Sequence, residues 1–228
     1  MACGKRHTKK TQRVIKEEEI SAAAAAGEQR PARFRTEKER MNITVYCGAH
    51  SGSNKAYADY ARELGTWIAA NGYSLIYGGG RVGLMGIIAD TALDGGAEAF
   101  GVIPHFLVER ETEHRGLTRL IVVETMAERK RIMMEQGDIY IALPGGSGTL
   151  EEISEVISLI RLNRLQKPCI LFNACGFFDP LKLQLERMER DGFYKRNSFS
   201  VCFADSLEAM HSYLIGWYMQ NVCGASAS

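Results

Sequence analysis

From Met41 onward, short runs of β-branched and aromatic residues alternate with longer stretches whose apolar residues recur every three or four positions. The runs predict strands over residues 43–47, 73–77, 100–103, 120–123, 139–143, 169–172 and near 199–203. The helical spacing predicts helices over 55–71, 84–94, 126–136, 149–163, 180–190 and 206–218. In the first of these helices Tyr57, Tyr60, Ala61, Leu64 and Ile68 form the apolar stripe. Residues 104–116 are polar and carry no clear period, so they are expected as an irregular loop.

Strands alternating with helices at this interval predict an α/β fold: a doubly wound parallel sheet, Rossmann-like, in three αβα layers. The strand cores are continuously apolar, as strands covered on both faces should be. In such sheets a ligand sits beyond the carboxyl ends of the strands, where the strand order reverses. That rule singles out the turns after Cys47, Tyr77, Ile103, Val123 and Leu143.

Before Met41 the pattern is absent. Residues 1–40 hold 11 Lys/Arg against 6 Asp/Glu, an alanine run at 22–26 and few large apolar side chains. They are expected as a disordered basic extension, followed by one nucleotide-binding domain over 41–220 and a short tail over 221–228. The remainder of the chain carries 17 basic against 21 acidic residues, which gives no broad nucleic-acid footprint. No apolar run is long enough to span a bilayer. With no apolar segment of signal-peptide type in residues 1–40, a cytoplasmic protein with no membrane partner is expected. The six cysteines are scattered and the five histidines share no metal-ligand spacing, so neither a disulfide scaffold nor a metal site is expected.

Two glycine-rich turns carry the candidate chemistry. The first, Tyr77 to Gly86, contains Gly78, Gly80 and Gly83 at dinucleotide-fingerprint spacing. Glu98 lies twenty residues on, but at the start of the next strand rather than its end, where a ribose would be met. Tight packing and a phosphate or sugar contact shared with another loop are the other readings. The second turn reads PGGSGTLEE, Pro144 to Glu152. Its glycines free several N–H groups to point into one space at a helix start, which makes an anion site. No lysine follows, so it is not a nucleoside-triphosphate loop. Ser147 followed by Asp205 and His211 raises an esterase reading, which Thr149 weakens by standing where the motif needs glycine. Thr149 and Glu152 are spaced as a capping box, so Glu152 reads either as a helix cap or as a carboxylate beside the bound anion.

Together these segments resemble the Lonely Guy family of cytokinin-activating phosphoribohydrolases. The resemblance spans about residues 43–217 and rests on Arg129-Lys130 with Met133, on PGGSGT with Glu152, on YGGGRVGLMG and on Gly101 to Pro104. It implies hydrolysis of N6-modified adenosine 5′-monophosphates, with AMP a plausible substrate, to a free base and ribose 5-phosphate. No cofactor is implied, and a homodimer is, with its interface close to the nucleotide. Carried over residue by residue, Arg129 and Glu152 take catalytic positions. Glu111, Met126, Lys130, Gly145, Gly146, Ser147, Gly148, Thr149, Leu150, Glu151 and Ser158 take substrate-binding positions. This chain departs from the family pattern at Ala127, where many members carry His, and at Cys47-Gly48-Ala49-His50, where the loop is often CGSS. A non-catalytic nucleotide or molybdenum-cofactor carrier on the same fold is the rival. It would need the anion turn but not the Arg129 and Glu152 pair.

Overall fold

A computed structural model describes residues 13–16 by their backbone, and residues 40–111, 113–193 and 201–223; the side chains of 109–111, 222 and 223 are left aside. In chain order the strands are β1 (Arg13–Lys16), β2 (Asn42–Tyr46), β3 (Ser74–Tyr77), β4 (Ala99–Pro104), β5 (Arg119–Val123), β6 (Ile139–Ala142), β7 (Cys169–Phe172) and β8 (Cys202–Ala204). The helices are α1 (Ala56–Ala70), α2 (Gly83–Asp94), α3 (His105–Glu111), α4 (Met126–Gln136), α5 (Ser147–Arg161), α6 (Asp179–Arg190) and α7 (Leu207–Tyr218).

Every strand pairing is parallel, in the order β1-β5-β4-β3-β2-β6-β7-β8. Alternation along each strand divides the core into two layers. Ile43 and Val45 of β2, Leu75 and Tyr77 of β3 and Ile139 and Ile141 of β6 meet Leu64 and Ile68 of α1 and Ile88 and Ala92 of α2. Tyr46, Ile76, Tyr140 and Ala142 point the other way, onto Ile132 and Met133 of α4 and Ile153, Val156 and Ile157 of α5. Three layers and a doubly covered parallel sheet are therefore what the continuously apolar strands produce.

The structure departs from the expected elements in three places. Residues 105–111 form α3 rather than loop: Leu107 and Val108 pack against the core, and two apolar contacts in seven residues are too few to show a period. Four residues of the expected extension, Arg13–Lys16, form an edge strand in register with Arg119–Val122. The rest of 1–39 and residues 224–228 lie outside the described residues, as do 199 and 200 of the last expected strand, which here runs from Cys202 to Ala204. The third departure is α5, which starts at Ser147, two residues earlier than expected.

Helix α4 is set by its first turn. The Thr125 hydroxyl accepts from the Glu128 N–H at 3.2 Å, and the Glu128 carboxylate accepts from the N–H groups of Thr125 and Glu124 at 2.9 and 3.1 Å. This reciprocal cap fixes where the helix begins and so where Arg129 points. Thr125→Ala is expected to cost about 1 kcal/mol. Urea unfolding should show it as a lower midpoint at unchanged slope.

Candidate active site

The sheet order reverses between β2 and β6. The chain leaves β2 toward β3, β4 and β5 on one side, while β6 and β7 lie on the other. The turns after these two central strands separate there and open a cavity of about 410 Å³. Its walls are the loop 47–52 after β2, the turn 144–148 after β6, Leu84 and Met85 from α2, Arg129 from α4, and Thr149 and Glu152 from α5.

The loop after β2 is clamped from both sides through Gly48. Its N–H donates to the Pro144 carbonyl at 3.1 Å, and its carbonyl accepts from the N–H groups of Leu84 and Met85 at 3.1 and 3.3 Å. Gly83 lies against the same loop with φ +63°, and a Cβ there would sit 2.3 Å from the Ala49 carbonyl carbon. Glycine is thus required at 83 both by the left-handed backbone and by the contact. Two of the N–H groups that open α2, those of Leu84 and Met85, are thus taken up by Gly48, so this turn braces the neighbouring loop.

The second turn differs. Helix α5 begins after Gly146, and no side chain caps that residue. The helix therefore presents its first N–H groups, and the positive end of its dipole, at the cavity wall. A Cβ at Gly146 or Gly148 would meet nothing within 4 Å. The protein's own packing does not demand glycine at either position, and the open space leaves the backbone accessible from the cavity. Because the helix starts at Ser147, Thr149 and Glu152 are not its cap and third residue, and the capping-box reading of Glu152 fails.

Glu152 instead faces Arg129. Both are buried, 7% and 6% exposed, and Arg129 Nη1 lies 3.7 Å from Glu152 Oε1. The guanidinium is pinned from behind by two backbone carbonyls. Nε donates to Val102 O at 3.1 Å, and Nη2 donates to Gly78 O at 3.4 Å. Gly78 supplies room as well as an acceptor, since a Cβ there would sit 2.0 Å from Nη2. Two opposite charges, nearly dry and fixed on different helices, thus border the same space as the anion turn. Tyr46, at the end of β2, stays protonated: burial, and then the negative field of Glu152, hold its hydroxyl well above the usual tyrosine range.

Of the residues singled out in the sequence, Arg129, Gly145, Gly146, Ser147, Gly148, Thr149 and Glu152 converge on the cavity. Met126 lies outside it, with its sulfur 3.8 Å from Arg129 Nη1. Lys130 is turned away. Its ammonium bonds Glu151 at 2.7 Å and Glu155 at 3.0 Å, and these carboxylates, Glu151 first, hold its pKa above the usual lysine value. Leu150 and Glu151 are exposed, and the Ser158 hydroxyl donates to Ser154 O at 2.8 Å. Glu111 closes α3, and its side chain lies outside the described residues. His211 does not line the cavity, so it forms no triad with Ser147 there. Among the described residues no cluster of His, Cys, Asp or Glu is placed to hold a metal ion.

Several lining residues were not singled out as ligand contacts, among them His50, Tyr57 and Phe177. Tyr57 was absorbed into the apolar stripe of α1, where it also packs. Phe177 follows β7, whose turn carries no glycine-rich signal, and it meets Tyr57 edge-on with ring centres 5.7 Å apart. His50 stands where the resemblance had left the loop's contacts open.

Comparison with known proteins sets this geometry among relatives. Residues 85–212 match the family model described as "Possible lysine decarboxylase". A probable cytokinin riboside 5′-monophosphate phosphoribohydrolase of Oryza sativa subsp. japonica is 42% identical over 175 residues, covering 77% of this chain and 76% of that protein. A cytokinin riboside 5′-monophosphate phosphoribohydrolase of Rhodococcoides fascians is 45% identical over 153 residues, 67% of this chain and 77% of that one. Among solved structures, the Moco carrier protein of Chlamydomonas reinhardtii superposes with a TM-score of 0.60 at 20% identity, covering 79% of this chain and 99% of that one. At that identity the likeness shows the fold alone.

Proposed function

This chain belongs to the Lonely Guy family of phosphoribohydrolases, which are N-glycosyl hydrolases, and from that premise we propose that it cleaves N6-modified adenosine 5′-monophosphates, and AMP itself, to the free base and ribose 5-phosphate. The observation that carries the reading is the buried Arg129 and Glu152 pair beside the uncapped start of α5.

In this reading the 5′-phosphate rests on the N–H groups of the Gly146 to Thr149 turn, with the Ser147 and Thr149 hydroxyls adding donors. The ribose then lies over Glu152. Breaking the bond from C1′ to the purine leaves positive charge on the sugar, and a fixed carboxylate stabilises it and orients or deprotonates the attacking water. Arg129 stays charged at any working pH, so it serves as a clamp rather than as an acid. It holds Glu152 and the substrate by charge-assisted bonds. The departing purine takes its proton from solvent. A carrier has no use for such a pair, and burying one without a role is costly. We place the homodimer contact on the outer side of α5, where Leu150 and Leu162 are 47% and 68% exposed.

The direct test is incubation with AMP and with an N6-alkylated AMP, followed by chromatography for the free base. Release of base from neither would sink the reading. A second expectation concerns the clamp. Gly78→Ala places a methyl group against Arg129 Nη2 and should shift the guanidinium by about 1 Å, which can cost about a hundredfold in kcat/KM. Steady-state kinetics beside a melting curve would separate this from general unfolding.

A further inference from the structure

The charges around the cavity do not balance for the ligand it is read to take. Among the described residues that line it, Arg129 and Glu152 are the strongly ionised pair, and they offset one another. A phosphate monoester brings up to two negative charges. Lys130 lies off the cavity and is bonded to Glu151 and Glu155, while Lys55 and Arg81, which flank the neighbouring turns in sequence, do not line it either. The remaining basic side chain in the lining is His50.

Its place follows from the clamp on Gly48. The Gly48 N–H bonds Pro144 O, and a Cβ on Gly48 would come within 3.3 Å of Gly145 Cα, so the loop carrying His50 lies directly beside the anion turn. The carbonyl of Gly48 is held from α2 and the Ala49 backbone abuts Gly83, so this loop is braced before any ligand arrives. Bracing of this kind reduces the ordering cost of a contact. An imidazole donates an N–H in either protonation state, so it can bond a phosphate oxygen.

We infer that His50 is a phosphate ligand of this enzyme, meeting the anion from the loop beside the PGGSGT turn and adding a side-chain N–H donor to the backbone donors there. The inference rests on the phosphoribohydrolase reading for the identity of the anion. It concerns binding and not the chemical step, because the loop lies beside the anion turn.

The test uses the full chain with His50→Ala and His50→Lys. His50→Ala should raise KM for AMP about tenfold while kcat moves less than twofold, and His50→Lys should bring KM back to within about twofold of wild type. Inorganic phosphate, titrated calorimetrically or used as a competitive inhibitor, should weaken about tenfold in His50→Ala and recover in His50→Lys. Adenine, as an inhibitor, should bind all three alike. An unchanged KM, an equal loss for adenine, or a lysine variant no better than alanine overturns the inference. Phosphate titration needs no turnover. If the wild type released no base, the hydrolase reading would fall while the His50 contact was still decided.

Discussion

Glu152→Gln is expected to lower kcat for base release by a thousandfold or more, in a protein that remains folded. The substitution keeps the shape and length of the side chain and removes only its charge. Charge is the quantity the transition state needs, because the sugar becomes cationic as the glycosidic bond opens. KM should change little, since the phosphate is held elsewhere. The folded state loses a partner for Arg129, but Val102 O and Gly78 O still accept from the guanidinium. The stability loss should therefore stay below the roughly 3–5 kcal/mol of a fully orphaned buried charge. Chromatographic assay of base release, with urea unfolding in parallel, reads both quantities. Turnover near that of wild type would remove Glu152 from the chemistry.

Removing the 5′-phosphate should have an effect of similar size by a different route. Adenosine keeps the base, the sugar and the bond to be cut, and loses only the group on the α5 turn. A hydrogen bond to a charged group contributes about 1.5–3 kcal/mol, so two of them at about 2–3 kcal/mol each amount to about 4–6 kcal/mol. At about 1.4 kcal/mol for each factor of ten, kcat/KM for adenosine should lie roughly three to four orders of magnitude below that for AMP. Part of the loss should appear in kcat, because a phosphate seated on a fixed turn also orients the ribose over Glu152. Equal kcat/KM for the two substrates would show that the turn does not anchor the phosphate.

How far the sequence disclosed this site depended on the kind of signal. The sheet and its switch point were legible because doubly buried strands are long apolar runs, and α4 begins and ends at Met126 and Gln136 as its spacing predicts. Arg129 and Glu152 were picked out by the resemblance, each in its own segment, and the fold brings the two together. The start of α5 was not, because Thr149 and Glu152 imitate a cap that the uncapped Gly146 renders unnecessary. The roles of the glycine turns were only half legible. One turn gives the Leu84 and Met85 N–H groups to Gly48, while the start of α5 carries no side-chain cap, and this depends on which backbone lies opposite. The turn that carries His50 was marked by the switch-point rule, but not His50 itself, and Phe177 follows a strand with no such signal; only the fold shows that both line the cavity.

The empty space beside Gly146 and Gly148 has a practical consequence for anyone improving this protein. Neither position has a positive φ, and a methyl group would fit at each without touching the chain. Gly148 lies inside the first turn of α5, where glycine leaves the unfolded chain more freedom to lose, at about 0.5–1 kcal/mol relative to alanine, whereas Gly146 is the N-cap, a position that disfavours alanine. A heat-resistance screen run without nucleotide would therefore favour alanine at 148. The clones it enriched would be sturdier proteins with a methyl group in the proposed phosphate seat, so such a screen needs substrate present from its first round.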